Sequence, residues 1–228
     1  MDFYTWIITN KELFKIFYAL IILIICIVIV LKTNRLFKLS LHPGIRYFRN
    51  AFFFYGIGFL IRYFIGTPFV YENILPNSHA FINLAFEFFL VMGGFFLLYS
   101  LLWKRFETDV PSFSSLFNSR ILILYAITII AVILDSLWKM NYIMFVSQII
   151  IFIFASVISY SNLIKSKNKH MFLKYYFTAM SLSLIAWILN ALAALYFEWN
   201  NIILVNIYVL NMIVFLLFLY GVIKVTKT

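Results

Sequence analysis

Seven apolar runs, each about 20 residues long, constrain the fold of this chain more than any other feature of the sequence. A helix of that length, rising about 1.5 Å per residue, spans a hydrocarbon core of about 30 Å. Helices are expected because lipid offers no hydrogen-bond partner to an open sheet edge, and because the runs lack the alternating polarity of barrel strands. The runs are Leu13–Leu31, Tyr47–Ile65, Ala80–Leu102, Ile121–Trp138, Tyr142–Tyr160, Met171–Leu195 and Ile202–Ile223.

We therefore predict an all-α integral membrane protein with seven transmembrane helices in a single domain over residues 1–228. The composition excludes an ordinary soluble fold, since 65% of the residues are hydrophobic and 11% are charged, against about 45–50% and about 25% in soluble domains. The heavy use of Phe, Ile, Tyr, Asn and Lys is typical of an AT-rich genome, so we expect a prokaryotic source.

The distribution of Lys and Arg predicts the orientation of the helices. Fourteen of the eighteen Lys and Arg residues flank the runs on one side, and only Lys11, Lys15, Arg62 and Lys139 lie on the other. Cytoplasmic loops carry the excess of positive residues, which predicts an N-terminus outside and a cytoplasmic C-terminus in the cell membrane. The same placement explains the net charge of +10 as attraction to the lipid bilayer, with no nucleic acid as a partner.

A weak internal repeat relates two parts of the chain. Residues 32–64 align with residues 160–192 without a gap, with five identities in thirty-three positions that include His42 with His170. This predicts a 3+1+3 plan of parallel repeats, 13–102 and 142–223, joined by a linker helix at 121–138. The alternative is shared composition together with similar basic loops.

Two stripes of small or polar residues coincide under this repeat. Their members follow one another at offsets of four, three and four, so each stripe lies on one helical face that is expected to contact protein and not lipid. The stripes are Arg62, Gly58, Tyr55 and Ala51 in the second run, and Asn190, Ala186, Ser183 and Ala179 in the sixth.

Polar side chains at similar depth in several runs predict an outward-facing polar pocket that binds a ligand. The alternative is a set of hydrogen bonds between helices. Asp135 is expected to be an interfacial residue near Lys139, one turn away. The candidate ligand-binding residues are Arg62, Asn83, Glu87, Gln148, Asn190, Asn206 and Asn211.

Glu87 and Arg62 are expected to form a coupled pair, because the second and third runs are antiparallel neighbours and a bare carboxylate inside a membrane needs a cation or a proton. The pair has two interpretations, a structural link between helices or part of a ligand or proton site.

Neither a catalytic residue nor a metal site is predicted, and no cofactor is expected. Zinc-protease, hydrolase and nucleotide-binding motifs are absent from the sequence. His42, His79 and His170 lie in separate loops, and Cys26 is the single cysteine, so no disulfide can form within the chain. We therefore do not expect an enzyme.

The plan of seven spans resembles that of microbial rhodopsins, and the 3+1+3 plan resembles that of semi-SWEET and PQ-loop sugar transporters. The middle of the last run carries Asn206 and Asn211 where a rhodopsin has its retinal lysine, and the Pro-Gln pair of the transporters is missing. The chain is therefore not assigned to either family.

These observations favour a receptor or sensor for a small molecule or lipid, or a subunit that binds another membrane protein in a complex. The alternative is a small secondary transporter built from the two parallel three-helix repeats. Since the apolar runs contain no proline, they lack a signal for the broken helices common in transporters.

The predicted orientation can be tested by cysteine labelling. The variants Asn77→Cys and Asn201→Cys should react with an impermeant thiol reagent added outside intact cells, because both positions fall in predicted outer loops. Ser166→Cys should not react. Labelling at Ser166 alone would reverse the orientation.

Overall fold

The chain is helical almost throughout the residues that the computed structural model describes, which are 11–66, 79–106, 116–138, 142–165, 171–196 and 201–227. These residues contain no strand, so the all-α prediction is confirmed for them. A π-helical turn, Ile61–Ile65, continues the second helix. The helices are α1 (Lys11–Ser40), α2 (Pro43–Leu60), α3 (His79–Phe106), α4 (Ser119–Trp138), α5 (Tyr142–Lys165), α6 (Met171–Tyr196) and α7 (Asn201–Lys227).

The helices extend beyond the predicted apolar runs because backbone hydrogen bonding does not stop where the apolar residues do. α1 continues past Leu31 to Ser40 and ends at Leu41, whose φ of 51° lies in the left-handed region that terminates helices. α2 then begins at Pro43, whose fixed φ suits the first helical position. The first two helices are therefore joined by a tight turn.

Six of the described helices, all except α2, are long and apolar enough to cross a membrane. This indicates a multi-pass membrane protein. α2 does not qualify because its first turns carry Arg46, Arg49 and Asn50. It is nevertheless buried along most of its length, so its surroundings are other helices. The count of seven spans and their orientation remain predictions.

Six helices form a closed ring in the order α1, α2, α3, α5, α6, α7. Neighbours in the chain pack on each other, and contacts of α3 with α5 and of α1 with α7 complete the circle. α4 packs mainly on α3 and α5 outside the ring, and it is the least buried of the helices that could cross a membrane. The ring therefore has an interior that α4 does not enter.

Two adjacent glycines in α3 allow its neighbours to approach closely. A Cβ atom at Gly93 would lie 2.9 Å from the Tyr55 ring of α2, and one at Gly94 would lie 2.9 Å from Gln148 Oε1 of α5. Small residues at helix contacts serve this purpose in membrane proteins. α3 is therefore in close contact with two of its neighbours in the ring, α2 and α5, at the same level.

One end of the ring interior is filled by aromatic side chains, which we call the aromatic floor and define as Phe48, Phe52, Tyr176 and Phe218. The Phe48 and Tyr176 ring centroids are 5.8 Å apart, and those of Phe52 and Phe218 are 5.2 Å apart. The Tyr176 hydroxyl also lies 3.1 Å from Ser100 Oγ of α3. Residues of α2, α6 and α7 thus meet across the ring and close it at this end.

Asp135 caps the following helix. Its expected position near Lys139 at the membrane interface stays a prediction. Its Oδ1 accepts a hydrogen bond from Ile143 N at 2.8 Å, and its Oδ2 accepts one from Met144 N at 2.6 Å. Lys139 lies outside the described residues. The first backbone N–H groups of a helix have no partner within it, so a buried carboxylate on α4 satisfies two of them at the start of α5.

Asp135→Ala should lower the free energy of unfolding by about 1–3 kcal/mol, because two buried backbone donors of α5 lose their acceptor. Chemical unfolding in detergent, followed by circular dichroism, measures the change. Ser136→Ala is the matched control on the exposed side of the same turn, and it should have little effect. Equal stabilities of the two variants would contradict the capping role.

Candidate functional site

A cavity of about 500 Å³ occupies the interior of the ring above the aromatic floor. All six ring helices line it, and α4 contributes no lining residue. Phe52 and Phe218 lie at its base, whereas Lys15, Arg62 and Asn83 lie near the helix ends at the opposite side, which we call the mouth. Its volume falls within the range of about 300–1,000 Å³ that is typical of small-molecule sites.

The cavity brings together five of the seven residues that the sequence suggested as ligand contacts. These are Arg62, Asn83, Glu87, Asn190 and Asn211, which come from α3, α6, α7 and the π-helical turn. In α6, Ser183 and Ala186 of the predicted stripe also line the cavity. Binding of a ligand by these residues remains a prediction.

Gln148 and Asn206 do not line the cavity. Gln148 is fully buried between α5 and α3, where its Nε2 donates to Leu90 O at 3.1 Å. Asn206 is exposed near the start of α7. It lies five residues before Asn211, about 140° around the helix, and therefore on another face. The positions of these residues along their apolar runs predicted a similar depth in the membrane, but they did not predict which face of the helix each residue lies on.

The π-helical turn holds Arg62 at the mouth. It is closed by a hydrogen bond from Gly66 N to Ile61 O of 2.9 Å, spanning five residues. A Cβ atom at position 66 would collide with the Arg62 carbonyl oxygen, so the turn requires glycine there. Single π turns inside helices are frequent at functional sites, and this one carries the only guanidinium that lines the cavity among the described residues.

Arg62 has a different partner from the one expected. Its Nη1 donates a hydrogen bond to Asn83 Oδ1, and its guanidinium lies over the Phe86 ring, 5.4 Å from the centroid. No ion pair joins Arg62 to Glu87, although the structure describes both side chains. The π-helical turn places Arg62 level with Asn83, one turn nearer the mouth than Glu87, and the two charges still attract each other across that distance. The expected coupling of Arg62 with Glu87 therefore stays a prediction, without a direct ion pair.

Two polar groups inside the cavity lack a hydrogen-bond partner within the described part of the chain. They are the Glu87 Oε2 atom and the Tyr55 hydroxyl group, and each residue is 5% exposed. Buried polar atoms are nearly always hydrogen-bonded in folded proteins. Both residues line the cavity, and the two atoms themselves are covered by neighbouring side chains.

Sequence reasoning missed the aromatic residues that form much of the wall. Tyr18 stacks on Tyr208 with ring centroids 4.4 Å apart and meets Tyr63 edge-on at 5.8 Å, while Trp187 lines the same cavity. Aromatic residues make up 21% of the chain, so they did not stand out. The available signal was Tyr18, whose hydroxyl interacts with Asn211, since tyrosine deep in an apolar run needs a polar partner.

Comparison of the chain with protein families, with characterised proteins and with solved structures finds no match. Among the described residues, no group of three or more His, Cys, Asp or Glu side chains is arranged to hold a metal ion. The cavity and its lining are therefore the features of this protein that bear on its function.

Double-mutant cycles can test the partner of Arg62. The cycle of Arg62→Gln with Asn83→Ala should show a coupling energy of about 0.5–1 kcal/mol, reduced by the exposure of Arg62. The cycle of Arg62→Gln with Glu87→Gln should show the smaller coupling, because no hydrogen bond joins those side chains. Unfolding in detergent gives the energies, and a larger coupling of Arg62 with Glu87 would contradict the assignment of Asn83 as the main partner of Arg62.

Proposed function

We propose that this protein is a ligand-binding membrane protein, a receptor or sensor for a small molecule or lipid or the binding subunit of a membrane complex. The observation that carries the proposal is the cavity of about 500 Å³. Every ring helix contributes to it, and two of its buried polar groups lack partners among the described residues. A bound molecule in that position contacts all six helices and can therefore change how they pack.

In this proposal the chain crosses the cell membrane of a prokaryote seven times. α2 and its π-helical turn supply the seventh span, since Pro43–Ile65 extends about 34 Å at about 1.5 Å per residue. The polar start of α2 then lies at the cytoplasmic surface, with Arg49 donating to Asn34 Oδ1 of α1 at 2.6 Å. This orientation, with the N-terminus outside, directs the mouth of the cavity outward.

The aromatic floor favours a receptor over a transporter. A receptor needs access from one side only, and the contacts among Phe48, Phe52, Tyr176 and Phe218 close the other end of the ring. A ligand then enters and leaves through the mouth.

The alternative function is secondary transport by two parallel three-helix repeats, 13–102 and 142–223. One observation favours it: the order of the ring is unchanged when α1, α2 and α3 are exchanged with α5, α6 and α7, and α4, the predicted linker, stands outside. Arg62 and Asn190, equivalent under the repeat, both line the cavity. Transport would require the aromatic floor to open.

A tryptophan placed in the cavity tests ligand binding. Compounds from a screen that raise the melting temperature of the purified protein should fail to do so for Asn190→Trp, because the indole fills space at the cavity wall. Asn206→Trp makes the same change at an exposed position and should leave the shifts intact. Loss of the shifts in both variants, or in neither, would argue against the cavity as the binding site.

The compounds identified in this way also separate the two functions. Proteoliposomes loaded with one such compound should exchange it for external labelled compound if the protein is a transporter. Binding without exchange supports the receptor.

A further inference from the structure

Among the described residues that line the cavity, Glu87 is the one carboxylate, and its surroundings determine which kind of ligand group it can accept. Glu87 lies one turn below Asn83, is 5% exposed, and leaves its Oε2 atom without a hydrogen-bond partner among the described residues. The Tyr55 hydroxyl group, on the facing helix α2, is also without such a partner. Tyr55, Phe59, Phe86 and Trp187 are among the aromatic residues that line the same space.

We propose that the molecule bound in this cavity carries a protonated amine, which lies against the Glu87 carboxylate. The inference rests on the proposed ligand-binding function and names the chemical class of the ligand. The amine donates to the Glu87 carboxylate, and a second polar group of the ligand can bond to the Tyr55 hydroxyl once a side-chain movement exposes it.

A protonated amine fits this position better than a metal ion. Calcium requires about 6–8 oxygen ligands and magnesium six, whereas the described residues place a single carboxylate here and hold no cluster of metal ligands. An organic cation needs fewer direct partners, because aromatic faces attract it once it has left water. Its apolar part can pack on Phe52, Phe215 and Phe218 at the base.

The positive charge of the Arg62 guanidinium repels such a cation. This repulsion predicts a specific effect when the charge of Arg62 is removed. Arg62 lies near the mouth, bonded to Asn83 and stacked over Phe86. Its charge weakens the binding of an amine and strengthens the binding of an anion. Removing the charge of Arg62 and removing that of Glu87 should therefore have opposite effects on amine affinity.

Calorimetric titration in detergent tests this with probes that are matched in shape. These are the amines 2-phenylethylamine and tryptamine, the alcohols 2-phenylethanol and tryptophol, and the acids 3-phenylpropanoate and indole-3-acetate. At least one amine should bind the wild-type protein more tightly than its alcohol. Glu87→Gln should weaken that binding about tenfold or more, and Arg62→Gln should strengthen it about threefold or more.

Thr128→Val is the matched control. Thr128 is fully buried and bonded to Leu124 O and Met92 Sδ at the contact of α4 with α3, outside the cavity. This variant should bind the amine with unchanged affinity. Size-exclusion profiles and melting temperatures of all variants identify any that fail to fold, and for Glu87 the variant Glu87→Asp, which keeps the charge, should retain more amine binding than Glu87→Gln.

The outcomes separate the two proposals. If an acid or an alcohol binds, is excluded by Asn190→Trp and is bound more tightly than the amines, the amine inference is wrong and the ligand-binding function stands. Amine binding that Glu87→Gln leaves unchanged also overturns the inference. If no probe binds, the amine inference fails, and the broader compound screen with Asn190→Trp decides the ligand-binding function.

Discussion

Polar side chains in an apolar chain must be kept away from lipid, and the closed ring of helices depends on that constraint. Short hydroxyl side chains are satisfied on their own helix, as when Thr33 donates to Ile29 O at 2.6 Å and Ser183 donates to Ala179 O at 2.7 Å. Longer polar side chains can also reach another helix, as when Gln148 Nε2 donates to Leu90 O across the contact of α5 with α3. A ring provides a protein-facing side to every helix that carries such a residue, whereas α4, outside the ring, presents mainly apolar residues.

Aromatic packing around α2 holds the ring in place. Phe54 meets Phe96 of α3 at 5.0 Å, and Phe59 meets Tyr18 of α1 at 5.8 Å between ring centroids. From the other side, Phe48 and Phe52 reach α6 and α7. Each aromatic pair contributes about 0.5–1.5 kcal/mol beyond the area that it buries. The helix with the least apolar sequence is thus fixed by contacts with four neighbours, which explains how α2 tolerates Arg46 and Arg49 in its first turns.

The helices and part of the site could be predicted from the sequence, because the length of an apolar run and the period of a helix determine them. The thickness of a bilayer sets the length of an apolar run, and the period of 3.6 residues placed Ser183, Ala186 and Asn190 on one face, where they line the cavity. Gln148 was misplaced because depth alone does not specify a face. The partner of Arg62 was missed because a π-helical turn departs from the regular period, and no local pattern in the sequence announced it.

Asp135 and Glu87 are the two buried carboxylates of the described chain, and they differ in whether their oxygens already have hydrogen-bond partners. Asp135 is 3% exposed, and both of its oxygens accept backbone hydrogen bonds at the start of α5. Glu87 is 5% exposed, lies in the wall of a cavity, and has an oxygen without such a bond. An unsatisfied buried polar group is destabilising by about 1–3 kcal/mol, and more when it is charged. Since Arg62 bonds to Asn83 and not to Glu87, its charge attracts Glu87 only from a distance, and no hydrogen bond within the described part of the protein offsets this destabilisation. A polar or charged group that enters from the cavity can offset this destabilisation. Ligand binding in the cavity therefore explains the buried position of Glu87 better than helix packing does.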